Sequence, residues 1–287
     1  MNRRIALVLL LLSFSCSNST PETSISSFSG PRSLGLIDDR LHEASGLASS
    51  VVNKGFLWSQ NDSGNPAEVF LVDTTGHVKM VCKLPVDNRD WEEVTVGPGP
   101  EKGKTYVYVG EIGDNNAVHD YKYIYRFEEP TADSVEKHIT KIDTLTIQMS
   151  DGKRDTETMM IDPVTRDLYI ISKREDSVGV YKVKHPFGNG VMIAEKVGTI
   201  PYNKIVAGSF SRDGSEILLK DYDHIYYWKR SKDELFERTV LSKPEELPYE
   251  REAQGESITW AWDGSGFYTL SETNLDKPAY LKFYKRK

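Results

Sequence analysis

Apolar residues come in short runs, among them Phe56-Leu57-Trp58, Tyr106 to Val109, Leu168 to Ile171, Ile217 to Leu219 and Phe267 to Leu270. The runs are rich in β-branched and aromatic residues, and Gly, Pro, Asp and Asn cut them short. This pattern predicts strands joined by turns. No heptad and no long amphipathic helix interrupts it.

The strand pattern repeats in one order. Unit one starts at Glu43-Ala44-Ser45-Gly46-Leu47, turns at Asn53-Lys54-Gly55, runs Phe56 to Ser59 and reaches Asn61-Asp62-Ser63-Gly64. Unit two starts at Trp91-Glu92-Glu93, runs Tyr106 to Val109 and reaches Glu111-Ile112-Gly113-Asp114-Asn115. Unit three starts at Thr156-Glu157-Thr158, turns at Asp162-Pro163 and reaches Lys173-Arg174-Glu175. Unit four starts at Gly208-Ser209-Phe210, turns at Asp213-Gly214 and reaches Lys220-Asp221. Unit five starts at Gly255-Glu256-Ser257, turns at Asp263-Gly264 and reaches Ser271-Glu272. The anchors Ser45, Glu92, Glu157, Ser209 and Glu256 stand 47, 65, 52 and 47 residues apart.

A period near fifty with about four strands per unit predicts an all-β chain, a five-bladed β-propeller over residues 33–287. Unit five has three strands before the chain ends. Ser33 to Ile37 can supply the fourth and close the ring, which removes two exposed edges. A six-bladed ring is the alternative, with the extra blade inside the long 92–157 interval.

Arg3 and Arg4 precede the apolar run Ile5 to Leu12, and Ser13-Phe14-Ser15-Cys16 follows. A basic start, a short apolar stretch and small residues predict a secretory leader over residues 1–15. The run is too short to span a bilayer. Cys16 followed by Ser17-Asn18-Ser19-Thr20 resembles a bacterial lipoprotein signal, which makes Cys16 the lipid-bearing residue. Residues 16–32 then read as a flexible tether. The expected location is the bacterial cell envelope, lipid-anchored or secreted, with membrane contact only through the anchor. With two cysteines in the whole chain, a disulfide framework is excluded, and Cys82 reads as a buried structural thiol. The net charge of −7 becomes −9 when Arg3 and Arg4 leave with the leader, and this acidity excludes nonspecific nucleic-acid binding. A monomer is expected.

In a propeller the first strand of each blade lines the axis. The repeat therefore predicts an inner ring of Ser45, Glu92, Glu157, Ser209 and Glu256. Three carboxylates on one narrow channel repel. A hard divalent cation relieves them, and Ca²⁺ accepts six to eight oxygens in loose geometry. The absence of His and Cys from these positions argues against zinc or copper. The alternative is that each Glu bonds backbone amides on its own. The loops after the second strands form an outer ring on the same face. It holds Asn61, Asp62, Glu111, Asp114, Asn115, Lys173, Arg174, Lys220 and Glu272, any of which can instead be a solvated turn residue. Acids there can orient water, with Asp62 and Asp114 the candidates, and cations can take phosphate or carboxylate oxygens.

The five ordered motifs resemble the calcium-activated nucleotidase (apyrase) family of five-bladed propellers. The resemblance implies an axial calcium held by Ser45, Glu92, Glu157, Ser209 and Glu256, with Asp62, Lys173, Arg174 and Lys220 facing a nucleotide. The chain lacks that family's long insertions around the nucleotide. Asn61-Asp62-Ser63-Gly64, Asp90-Trp91-Glu92 and Gly113-Asp114-Asn115 look more like a bacterial lipoprotein propeller group. The readings that follow are a calcium-dependent hydrolase of a small phosphorylated or anionic substrate, a non-catalytic module that binds a glycan or protein around a structural calcium, or a lactonase-like propeller. Gly97-Pro98-Gly99-Pro100-Glu101-Lys102-Gly103-Lys104-Thr105 does not have phosphate-loop spacing, and Glu245-Glu246 beside Pro244 reads as a solvated connector.

Overall fold

The structure is a computed structural model that describes residues 26–273 and 278–287. The leader, Cys16 and the tether up to residue 25 lie outside the described residues.

The chain opens with β1 (Phe28–Leu36), which starts five residues before the expected domain boundary. Phe28 is fully buried, so this part of the expected tether belongs to the core. Blade one contains β2 (Ala44–Ser49), β3 (Phe56–Asn61), β4 (Glu68–Asp73) and β5 (Val78–Lys83). Blade two contains β6 (Trp91–Pro98), β7 (Thr105–Glu111) and β8 (Lys122–Glu128). The chain then forms β9 (Glu136–His138) and β10 (Asp143–Met149). Blade three follows as β11 (Thr156–Ile161), β12 (Leu168–Ser172), β13 (Val178–Val183) and β14 (Val191–Ile200). Blade four is β15 (Ala207–Phe210), β16 (Glu216–Lys220), β17 (Ile225–Lys229) and β18 (Glu245–Leu247), with the short helix α1 (Phe236–Thr239) between the last two. Blade five is β19 (Ser257–Trp260), β20 (Gly266–Leu270) and β21 (Tyr280–Arg286).

The first strands touch in a closed cycle, β2 to β6 to β11 to β15 to β19 and back to β2. The strand β1 pairs antiparallel with β21 and is the fourth strand of blade five. First and last segments therefore close the ring, and the fold is a β-propeller. The long interval before Glu157 adds no blade. Its β10 is the outer strand of blade two, paired with β8, and β9 pairs in parallel with β5 at the rim of blade one. A parallel pairing of β10 with β14 ties blades two and three into one eight-stranded sheet. Glu245 and Glu246, read as a connector, form β18 and pair with Tyr227 and Tyr226. The short strand caps the edge of blade four, which would otherwise expose unpaired backbone.

The apolar runs have a simple cause. Successive side chains of a strand point to opposite faces, and in a propeller both faces meet another blade. On β7, Tyr106 and Tyr108 pack toward blade three, while Val107 and Val109 pack toward blade one. On β12, Leu168 and Ile170 face blade two, and Tyr169 and Ile171 face blade four. Five apolar clusters result, one in each gap between neighbouring blades. Cys82 lies in the cluster between blades one and two, and burial pushes its thiol up to about 12.

Candidate functional site

The site begins with a backbone irregularity that recurs in three blades. In blade one Ala44 pairs with Asn61 and Gly46 with Gln60, so Ser45 has no partner across the ladder. In blade two Trp91 pairs with Glu111 and Glu93 with Gly110, which leaves out Glu92. In blade three Thr156 pairs with Ser172 and Thr158 with Ile171, which leaves out Glu157. Each is a β-bulge, and a bulge re-aims the residue it leaves unpaired. Ser45, Glu92 and Glu157 are all buried. The Ser45 hydroxyl donates to the Glu92 carbonyl at 2.6 Å and so links two of the bulges.

The first two strands of blades four and five pair without a bulge. Ala207, opposite Lys220, takes the place that Thr156 takes opposite Ser172. Ser209 therefore lies further along its strand than Glu157 does. Its hydroxyl makes only long contacts, 3.4 Å to the Phe210 carbonyl, 3.4 Å from the Trp260 amide and 3.5 Å to Thr259 Oγ1, and it lines a cavity at the other end of the channel. The structure does not bring Ser209 to the carboxylates. Glu256 stands just before β19, accepts from the Tyr222 hydroxyl and lies 3.6 Å from Lys173 Nζ.

Two carboxylate triads form, and they share Glu92. In one, Asp62, Asp90 and Glu92 bring oxygens within 4.8 Å of each other; in the other, Glu92, Asp155 and Glu157 do the same. All three members of the second triad are buried. Among the described residues Lys173 reaches the group, with its Nζ 2.6 Å from Glu157 Oε1. Asp155 accepts from Arg174 Nε at 2.6 Å and from the Asp114 amide at 3.0 Å. Among the described residues the Glu92 carboxylate receives no hydrogen bond from a charged donor. Gly113 lies directly beneath it, and a Cβ there would collide with Glu92 Oε1 and the Asp90 carboxyl.

Charge surplus governs the titration. Burial, with Glu157 and Asp62 nearby, pushes Glu92 well above the ordinary carboxylate range. Burial raises Glu157 to about 7 despite Lys173. Burial likewise raises Asp62 to about 6, with Asp90, Glu256 and Glu43 adding to the effect. Glu272 rises to about 9 through burial and the nearby Glu256. Glu93, beside Glu92 on β6, is also buried and pushed up, although its Oε1 accepts from the Val94 amide at 3.1 Å. These protons are what a divalent cation would displace. The buried triad fits a hard cation. Oxygens on opposite sides of Ca²⁺ stand about 4.6–5.2 Å apart, and the arginine and amide contacts to Asp155 hold that ligand from behind.

The outer ring divides. Asn61 is buried and structural: its Oδ1 accepts from the Glu43 amide at 3.1 Å and its Nδ2 donates to the Arg40 carbonyl at 2.8 Å. Glu111 accepts from the amides of Arg89 and Asp90 at 3.0 and 2.8 Å. Asp114 caps its own turn, accepting from Val118 and His119 amides at 2.8 and 2.9 Å, and against the cost of burial these bonds hold it below the usual range. Lys220 is fully buried, donates to the Asp221 carbonyl at 3.0 Å and to that of Gly255, and burial lowers its amine to about 8. Asn115 accepts from the Arg174 guanidinium at the surface. Glu272 donates its amide to the Gln254 carbonyl at 3.0 Å and sits against Glu256. Asp62, Lys173, Arg174 and Glu272 thus remain around the triads.

The repeat assigns no site role to Asp155 or Tyr222, and Asp90 enters the sequence reading only as part of the Asp90-Trp91-Glu92 motif. Asp90 and Asp155 each precede a ring glutamate by two residues, as Asp90-Trp91-Glu92 and Asp155-Thr156-Glu157. That shared spacing was the available signal.

No protein-family model matches the chain, and no curated protein does. Among solved structures it is similar to the Dos1 propeller, with a TM-score of 0.40 and 12% identity over 84% of this chain and 68% of that one. The chain is a β-propeller. That statement rests on its strand order and closed ring of first strands.

Proposed function

We propose that this propeller is held at the cell envelope through Cys16, binds Ca²⁺ at its acidic mouth and hydrolyses a small phosphorylated or otherwise anionic substrate. The observation that carries the reading is the pair of carboxylate triads sharing Glu92, with Lys173 in contact with the cluster. The buried triad of Glu92, Asp155 and Glu157 is the proposed calcium site. Bound calcium would supply an electrophile that polarises a substrate oxygen.

The chain's own groups divide the remaining work. Asp62 is half-buried at the rim and titrates at about 6, so it is ionised at neutral pH and suited to orient and deprotonate water. Asp114 is removed from that role, because two amides occupy its carboxylate. Arg174, with a side chain 53% exposed, offers a rim cation to an anionic substrate. Lys173 steadies developing charge from within the cluster.

A second reading, a binding module with a structural calcium, is favoured by the internal use of Lys173 and Lys220, which leaves few cations for a phosphate. One experiment separates the two. Calcium affinity is measured by calorimetry, and turnover on a phosphoester, nucleotide and lactone panel, for the parent, Glu157→Gln and Asp62→Asn. The hydrolase reading expects calcium-dependent turnover, loss of both properties in Glu157→Gln, and loss of turnover alone in Asp62→Asn. Calcium binding without turnover selects the binding module. No calcium binding at all refutes both.

A further inference from the structure

The cavity at the opposite end of the axis has a volume of about 330 Å³ and receives the last residues of all five inner strands. Val96, Ile161 and Phe210 give it an apolar wall. Trp260 and Trp262 complete the wall, and neither indole N–H has a partner among the described residues. Trp260 is 4% exposed, so its idle donor is shielded from water.

The mouth is cationic. Arg212 lines it, with its guanidinium 4.5 Å from the centre of the Trp262 ring, and Lys54 Nζ lies 4.4 Å from the same centre. Among the described residues neither cation has a carboxylate or hydrogen-bond partner. Asp213 and Asp263, next in sequence to Arg212 and Trp262, accept from the Ser215 and Ser265 amides at 3.0 Å each, and neither lines the cavity. The hydroxyls of Ser209 and Thr259, at the cavity wall, lie 3.5 Å apart and accept from the Trp260 and Ser49 amides at 3.4 and 3.2 Å.

We infer that this cavity binds a small organic carboxylate with an apolar body. The body fills the channel end, and the carboxylate meets Arg212 at the mouth. The volume falls within the range of small-molecule sites, which are walled by apolar side chains and oriented by a few polar groups. Among the described residues the lining carries Arg212 and no carboxylate, so an anion is selected over a cation. The site is separate from the acidic mouth and does not depend on calcium.

The test is a titration of the full chain with benzoate, hexanoate, 4-phenylbutyrate and the uncharged 4-phenylbutanol, read by calorimetry and tryptophan fluorescence. At least one carboxylate is expected to bind saturably at one site, and phenylbutanol about tenfold more weakly than phenylbutyrate. Arg212→Met should weaken the carboxylate about tenfold. Thr95→Phe, which fills the cavity from half-buried Thr95, should abolish binding. EDTA should leave all of these unchanged, so the outcome is independent of the calcium reading. Arg212 is exposed and makes no hydrogen bond, so its variant keeps the fold. Absence of saturable binding by all three carboxylates, or binding unaffected by both substitutions, overturns the inference.

Discussion

Gly113→Ala is a small change with a large expected consequence at the triads. No positive φ constrains Gly113, so alanine fits the backbone. The added methyl would land on Glu92 Oε1 and on the Asp90 carboxyl. Both must retreat by about 1 Å to reach ordinary contact. Ca²⁺ holds its oxygens at about 2.3–2.6 Å, so a retreat of that size removes a ligand. Glu92 belongs to both triads, so either site is damaged. At one hundred times its dissociation constant, calcium stabilises the parent by about 2.7 kcal/mol. In a domain of this size that is a melting-temperature rise of roughly 5–10 °C. A hundredfold loss of affinity leaves about 0.4 kcal/mol, a rise of roughly 1 °C. The assay is thermal unfolding of parent and variant, first in EDTA and then with calcium added. The two should melt within a few degrees of each other in EDTA and separate in calcium. A variant that keeps the full calcium response would refute the assignment of Glu92 as a ligand.

Two further predictions follow from charge burial. In EDTA, Asp62 and Glu157 hold protons up to about 6 and 7, chiefly through burial, while the unfolded chain releases them near 4. The folded state therefore binds more protons across that window, so stability from these groups falls as pH rises from about 4 to 7. Calcium favours the ionised forms, and its stabilising increment should grow over the same window; unfolding scans at pH 5 to 8 with EDTA or calcium would show it, and a calcium increment that shrinks with pH would count against it. Between blades three and four, Arg230 and Asp162 form a buried pair, with side chains 4% and 0% exposed and contacts at 2.5 and 3.0 Å. Arg230→Met leaves the buried Asp162 carboxylate with only the Val164 and Thr165 amides and should cost about 3–5 kcal/mol, seen as a fall in melting temperature of roughly 6–20 °C; a fall under 2 °C would show that those amides suffice for the charge.

Much of the architecture could be read from the sequence because it rests on local regularities. The alternation in runs such as Tyr106 to Val109 comes from strands buried on both faces, and the repeated turns come from Gly and Asp at fixed offsets. The closing role of the first strand followed from counting strands in the last unit, although Phe28 shows that the strand begins earlier. Glu92 and Glu157 were found because they recur at one place in the repeat.

Register decided the rest. A strand offset of one residue turns a side chain to another face, and short repeats do not reveal where a bulge inserts that offset. Three blades carry the bulge and blade four does not, which is why Ser209 looks equivalent in the sequence and ends at the far side of the channel. Nor can a one-dimensional pattern show which charges meet. Lys173 reads as an outward cation, yet only the ring places it against Glu157 from its own blade and Glu256 from blade five. The residue types and their period were determined by the sequence alone. The tertiary structure decided which carboxylates share one buried volume, because that depends on closing five blades around one axis.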